Sequence, residues 1–173
     1  MNKRTFVHIF RFFLFVAIQI LLVRNVVLFN TAFCYLYIAF LLFLPIQMPK
    51  VALLALAFVT GFTVDIFYDT VGVNAAACVL LAYLRPYVLL VLTPRDDYEK
   101  NDTVNLHLMG WRWFTVYALF LVFIHHFALF FLELGSFRAL GFTMAKVVLS
   151  TLLTFVVLVI VQLLFFTIRR GNR

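Results

Sequence analysis

Long apolar runs separated by short polar stretches dominate the chain. A helix needs about 20 consecutive apolar residues to cross the core of a bilayer, and six runs come near that length. The sequence therefore predicts an all-α integral membrane protein, with residues 1–173 forming a single compact bundle of about six transmembrane helices. The predicted helices cover residues 6–23, 31–47, 51–67, 71–92, 113–132 and 142–168.

The composition excludes a soluble protein. Of the 173 residues, 66% are hydrophobic and only 12% are charged. A soluble domain has about 45–50% apolar residues and about 25% charged ones, and no soluble fold of this size could bury so much apolar surface. The length leaves no room for a separate soluble domain beside the bundle.

The distribution of basic residues predicts the orientation. The net charge is +7, and the basic residues are scattered over short loops and both ends, so they form no patch of the kind that binds nucleic acid. With both termini in the cytoplasm, ten lysines and arginines face inwards and three (Arg24, Arg138 and Lys146) face outwards. This follows the positive-inside rule, and the basic C-terminal end suits anionic membrane lipid.

The connection over residues 93–112 is the one long cytoplasmic loop. It contains four acids among seven charged residues and closes with Trp111 and Trp113, which suit a membrane interface. Two interpretations are open: a solvated linker, or a docking surface for a cytoplasmic partner.

The most informative stretch is a polar corner between the third and fourth predicted helices. Gly61, Asp65 and Asp69 are spaced four apart, so in a helix they lie along one face. Gly61 would let a neighbouring helix approach closely, and Asp69 would lie in the interfacial turn. Because a carboxylate within an apolar run is expensive, Asp65 is a functional candidate. It either snorkels to water or faces the bundle or a partner and organises the turn.

The second half of the corner begins the fourth helix. Gly72 can supply a positive φ for the reversal, and the side chain of Asn74 can cap the helix. Ala75 opens a short run of alanines that offers the returning helix a small face.

Three further polar residues lie within predicted helices. Arg85 precedes Pro86; we expect a helix that is kinked there and continues to about Leu92, with Arg85 snorkelling towards the cytoplasm or buried. His125 and His126 are adjacent and point in different directions. We expect one of them to hydrogen-bond within the bundle while the other faces lipid or a partner.

No enzyme template fits the sequence. It lacks Gly-x-Ser-x-Gly, His-Glu-x-x-His and a phosphate-binding glycine loop. Asp65 and Asp69 superficially resemble the acidic motif of membrane phosphatidyl-alcohol transferases, but the denser array of aspartates and the arginine of that motif are missing. We therefore expect no catalysis, no cofactor and no metal site.

The chain resembles the MreD family of bacterial rod-shape-determining membrane proteins over nearly its full length. The resemblance lies in the six predicted helices, the cytoplasmic ends, and Gly61-x-x-x-Asp65 followed by Gly72-x-x-Ala75 between helices three and four. The chain differs from the family in being rich in phenylalanine (23 residues) and in having a longer, acidic cytoplasmic loop.

The resemblance implies a non-catalytic scaffold subunit of the cell-elongation complex in the bacterial cytoplasmic membrane. Its partners would be MreC, the MreB filament and the peptidoglycan synthases of lateral wall growth. The MreD family also resembles the six-helix substrate-binding subunits of energy-coupling-factor transporters. The alternative is therefore a small-molecule-binding transporter subunit, which needs polar residues from different helices converging at one depth.

Overall fold

The computed structural model describes residues 3–28, 31–94, 98, 103–135 and 140–165, with side chains from Ile9 onwards. The chain is mostly helical. Its elements are, in order, α1 (Lys3–Ile18) with a π-helical turn (Gln19–Val23), β1 (Val27–Leu28), β2 (Ala32–Phe33), α2 (Ile38–Leu42), α3 (Lys50–Tyr68), α4 (Val73–Val91), α5 (Leu106–Met109), α6 (Trp111–Leu134) and α7 (Leu140–Phe165).

Four helices are long and apolar enough to cross a membrane, namely α3, α4, α6 and α7. They are in contact in the order α3–α4–α6–α7, and α1 lies against α3. The chain is thus a multi-pass membrane protein. Helix α4 continues through Pro86 to Val91, and the ends of the four helices lie within a few residues of the predicted bounds wherever the structure describes them.

The bundle has two ends. The "corner end" carries the turn between α3 and α4, where Gln19, the first residue of the π-helical turn, donates a hydrogen bond to the hydroxyl of Tyr68 (2.8 Å). At the opposite "loop end", Pro45 bridges to Thr103 in an isolated antiparallel pair. Strand β1 (Val27–Leu28) pairs with strand β2 (Ala32–Phe33) to form a short antiparallel ribbon.

The prediction of a second transmembrane helix over residues 31–47 is wrong. This "central segment" contains β2 and one short helix, α2, joined by turns. From Cys34 to Leu44 every residue is buried. The residues of this run are apolar because protein surrounds the segment on all sides. A segment that is buried in protein can be apolar without being helical.

Side chains of the surrounding helices satisfy the polar backbone of the central segment at the corner end. The amide of Phe33 donates to Ser150 Oγ (2.9 Å) and that of Tyr35 to Thr154 Oγ1 (3.2 Å). Gln19 Oε1 accepts from the amide of Leu36 (2.6 Å), and its Nε2 donates to the carbonyl of Cys34 (3.2 Å). Non-helical backbone is tolerated at membrane depth only where protein or water supplies such partners.

At the loop end Arg85 supplies the donors. Its Nη2 donates to the carbonyl of Leu44 (2.6 Å) and its Nη1 to that of Pro45 (3.3 Å). Tyr117 donates its hydroxyl hydrogen to the carbonyl of Leu42 (3.0 Å) and accepts from Arg85 Nε (2.8 Å). The central segment thus extends from one end of the bundle to the other, and side chains of the surrounding helices hydrogen-bond to its backbone at both ends.

The loop over residues 93–112 is not simply a solvated linker. Val104 and Leu106 are buried, and Gln162 of α7 accepts from the amide of Leu106 (3.1 Å) and donates to the carbonyl of Val104 (3.3 Å). The loop also contains α5 and the first two residues of α6. Its acidic residues Asp96, Asp97, Glu99 and Asp102 lie outside the described residues, as do the basic C-terminal residues.

Candidate functional site

The polar corner is a tight turn with two left-handed residues. Asp69, at the end of α3, has φ +54°, and Gly72, just before α4, has φ +79°. Aspartate is one of the few side chains that tolerate this conformation, and glycine adopts it without steric cost. Asp69 is exposed, and Val71 at the tip is 99% exposed. The turn therefore projects from the bundle.

Gly61 lies where α3 and α4 come closest. A Cβ built on Gly61 would lie 2.6 Å from the amide nitrogen of Ala75, and it would also meet the Cα of Ala75 and the carbonyl oxygen of Asn74. Since these are backbone atoms, they cannot yield without moving the helix. The absence of a side chain at this position sets the spacing of the two helices.

Asp65 is buried within the turn, with 1% of its surface exposed, and does not snorkel. Its Oδ1 accepts from the amide of Asn74 (3.0 Å) and from Thr70 Oγ1, and its Oδ2 accepts from the amide of Ala75 (2.9 Å). These amides belong to the first turn of α4, where no intrahelical acceptor exists. A carboxylate from α3 thus caps α4, and the positive end of the helix favours its negative charge.

Asn74 does not act as the cap of α4; its side chain continues the network inwards. Its Nδ2 donates to Asp65 Oδ1 (3.0 Å) and to Thr70 Oγ1 (3.0 Å). Because the acceptors fix the amide group in this orientation, Asn74 Oδ1 faces the hydroxyl of Tyr37, which donates to it (2.9 Å).

The network ends at His125. The hydroxyl hydrogen of Tyr37 is used on Asn74, so His125 Nε2 donates to the Tyr37 oxygen (2.9 Å). We call Asp65, Thr70, Asn74, Tyr37 and His125 the "corner network". It joins α3, α4, the central segment and α6 through one directional chain of hydrogen bonds.

Both histidines are buried, so the expectation that one of them faces lipid or a partner is wrong. His126 Nδ1 donates to the carbonyl of Val122 one turn earlier (2.7 Å), and its Nε2 lies 3.4 Å from Thr154 Oγ1. Tyr35 packs edge-on against His126, with ring centres 5.2 Å apart. The two rings point in different directions, but the bundle encloses both because the central segment covers the second one.

His125 Nδ1 is an exception among these polar atoms. It is buried and has no hydrogen-bond partner within the part of the chain that the structure describes. Cys78 Sγ lies 3.9 Å from the other ring nitrogen. No three His, Cys, Asp or Glu side chains of the described residues come together in a way that could hold a metal ion.

Arg85 is fully buried instead of snorkelling to the cytoplasmic side. As described above, its guanidinium binds the carbonyls at the end of the central segment and the hydroxyl of Tyr117. It is therefore separate from the corner network, and its role is to hold the non-helical backbone in place.

The structure brings the predicted corner residues Gly61, Asp65, Gly72, Asn74 and Ala75 into one hairpin, and connects His125 to them. It also uses five residues that were not predicted from the sequence: Gln19, Tyr37, Thr70, Ser150 and Thr154. A sequence signal exists for three of them, because Gln19, Ser150 and Thr154 are hydrogen-bonding groups inside apolar helices. Such groups call for a partner at membrane depth.

No family model matches the chain, and neither a curated protein nor a solved structure does.

Proposed function

We propose that this chain is a non-catalytic scaffold subunit of the MreD type in the bacterial cytoplasmic membrane, with both termini in the cytoplasm. The sequence resemblance at the Gly61–Ala75 corner motivates the proposal. The course of the chain agrees with it, because the central segment leads from the corner end to the loop end. In this proposal α1 and the central segment are the two crossings beside the four long helices, and the central segment crosses without being a helix.

The observation that carries the proposal is that polar side chains inside the bundle form their hydrogen bonds with other groups of the same chain. Tyr37, His125 and Arg85 are fully buried and hydrogen-bonded to the chain's own groups. Large apolar side chains such as Phe114 and Leu121 are equally inaccessible. These polar groups hold the central segment and the corner together, so the molecule offers surfaces for contact with partners.

Within this proposal Asp65 acts indirectly. Its oxygens are occupied by donors from residues 70–75 and its surface is buried, so it positions the turn without touching a partner. The groups that the turn presents outside the membrane are Asp69 and Val71. We propose that this turn contacts MreC and thereby fixes its geometry above the membrane.

The loop end faces the cytoplasm in this arrangement. The folded part of residues 103–112, held by Gln162, provides a surface there for the MreB filament and for the cytoplasmic parts of the wall synthases. Apolar faces of the long helices are left for the transmembrane helices of partners and for lipid.

The test is an affinity pull-down from native membranes at matched expression. Val71→Lys and Asp69→Asn change what the turn presents, and asparagine tolerates the left-handed conformation of residue 69. Glu133→Lys is the control because Glu133 is an exposed acid on another hairpin of the same end. We expect wild type and Glu133→Lys to recover MreC and the peptidoglycan synthases, and the two turn variants to lose MreC.

Retention of MreC by both turn variants would refute the contact at the turn while leaving the family assignment intact. Absence of the wall machinery from the wild-type eluate would refute the scaffold proposal.

The second candidate is a small-molecule-binding subunit of an energy-coupling-factor-type transporter. One observation favours it: Asp65, Asn74 and His125 converge in one network, and His125 Nδ1 has no partner among the described residues. Co-purification of an ATPase-coupled membrane partner in place of the wall proteins would establish this function instead.

A further inference from the structure

An open groove runs between α3 and α4 on the outer surface of the bundle. Its volume is about 960 Å³, and its walls include Leu54, Phe58 and Phe62 on one side and Ala76, Leu80 and Tyr83 on the other. The first wall extends over nine residues of helix and the second over eight, or about 11–12 Å along the axis. The walls are apolar over this length, up to the hydroxyl of Tyr83.

The loop end of the groove is polar and cationic. Lys50 and Tyr87 lie one turn beyond Leu54 and Tyr83, so they continue the two walls towards the membrane boundary. Lys50 Nζ lies 5.5 Å from the centre of the Tyr87 ring, and the rings of Tyr83 and Tyr87 are also 5.5 Å apart. All three side chains are exposed.

No described carboxylate balances the charge of Lys50. The acids that the structure describes are Asp65, Asp69 and Glu133, and all three belong to the corner end. Lys50 is the first residue of the membrane-spanning helix α3 and presents a positive charge at one end of a long apolar groove.

We infer that this groove binds an anionic phospholipid, with the phosphate at Lys50 and the hydroxyls of Tyr83 and Tyr87 and an acyl chain along the walls. A phospholipid has its negative charge at the membrane boundary and its apolar part beyond it, in the same order as the groove. A transmembrane helix of a partner would fill the apolar part but would leave Lys50 without an anion. The inference is independent of the proposed function.

The first experiment titrates the purified full chain in detergent with phosphatidylglycerol or phosphatidylcholine and counts bound lipid by native mass spectrometry. We expect wild type to bind phosphatidylglycerol more tightly. Lys50→Gln should weaken that binding about fivefold, as expected for one basic residue near an anionic head group. It should weaken phosphatidylcholine binding less, because the choline cation offsets the charge of the phosphate. Arg24→Gln is the matched control, because Arg24 also lies over a tyrosine ring (Tyr68, 5.1 Å) but at the corner end.

A second pair of variants tests the acyl-chain part of the groove. Ala76→Phe would fill the groove, whereas Ala55→Phe adds the same bulk to an exposed position of α3 outside it. We expect only Ala76→Phe to reduce the number of phosphatidylglycerol molecules retained.

Equal binding of the two lipids by wild type would overturn the inference, and so would equal effects of Lys50→Gln and Arg24→Gln. If Ala76→Phe instead abolished self-association or partner capture and left the lipid count unchanged, the groove would be a helix-docking site.

Discussion

At the scale of single residues, the corner depends on one missing side chain and one buried carboxylate. Gly61 brings α3 and α4 together, and Asp65 reaches across this narrow gap to the amides of α4. The spacing of Gly61, Asp65 and Gly72 along the sequence identified this hairpin. It could not identify Tyr37, because the bond between Tyr37 and Asn74 joins residues 37 positions apart and leaves no local pattern.

Gly61→Ala should destabilise the protein by about 1–3 kcal/mol, since the added methyl group meets backbone atoms of α4 and forces the helices apart. The measurement is the free energy of unfolding in detergent micelles. Gly141→Ala is the control: beyond its own turn of helix, no atom of the described residues lies within 4 Å of a Cβ at that position, and alanine there should be neutral or stabilising. Equal effects of the two variants would contradict the close approach of α3 and α4.

Asp65→Asn should cost about 2 kcal/mol, because an amide places one donor where the carboxylate accepts hydrogen bonds from buried amides. Asp69→Asn is the matched control. Asparagine tolerates the left-handed conformation and Asp69 is exposed, so this change should stay within about 0.5 kcal/mol. The measurement is the free energy of unfolding of both variants in the same detergent micelles.

At the scale of elements, the four long helices follow from the apolar runs, whereas the central segment does not. Each long helix shows a lipid-facing apolar surface and satisfies its own backbone, so length and hydropathy suffice to predict it. The central segment has the same hydropathy for another reason, since protein buries it on every side. The irregular backbone of the central segment is reflected in the sequence only by polar residues of the surrounding helices that hydrogen-bond to it. These residues are Gln19, Arg85, Ser150 and Thr154.

Gln19→Leu should destabilise the protein by about 2–3 kcal/mol. The substitution keeps the side chain's size but leaves the amide of Leu36 and the carbonyl of Cys34 buried without their partner. Gln47→Leu is the control, because Gln47 is exposed and its bond to Tyr98 is long (3.5 Å). A loss no larger than that of Gln47→Leu would show that Gln19 does not support the central segment.

At the scale of the whole molecule, the chain crosses between two ends with different exposed groups. The corner end presents Asp69 and Val71, and the loop end presents Arg112 and Trp111 at the start of α6. The distribution of charges predicts which end faces the cytoplasm, but the sequence did not reveal that the bundle is assembled around a buried stretch of its own chain. That arrangement depends on contacts between distant residues.

Cysteine labelling tests the orientation, because the native Cys34 and Cys78 are both buried and should give little background. A membrane-impermeant maleimide should label Val71→Cys in intact spheroplasts, whereas Arg112→Cys should react only after permeabilisation. The reverse pattern would invert the proposed orientation. Reaction of both variants in intact spheroplasts would place the two ends on the same side of the membrane.

The central segment also imposes an order on biogenesis. Phe33 and Tyr35 receive their backbone partners from residues 117 and 119 positions further along the chain. While the ribosome is still making α6, these amides have no acceptor, and exposing them to lipid would cost several kcal/mol per group. The nascent segment must therefore wait at the translocon or the membrane surface, or cross as a temporary helix, until α7 arrives. The N-terminal third of the protein can reach its native conformation only after most of the chain has been synthesised.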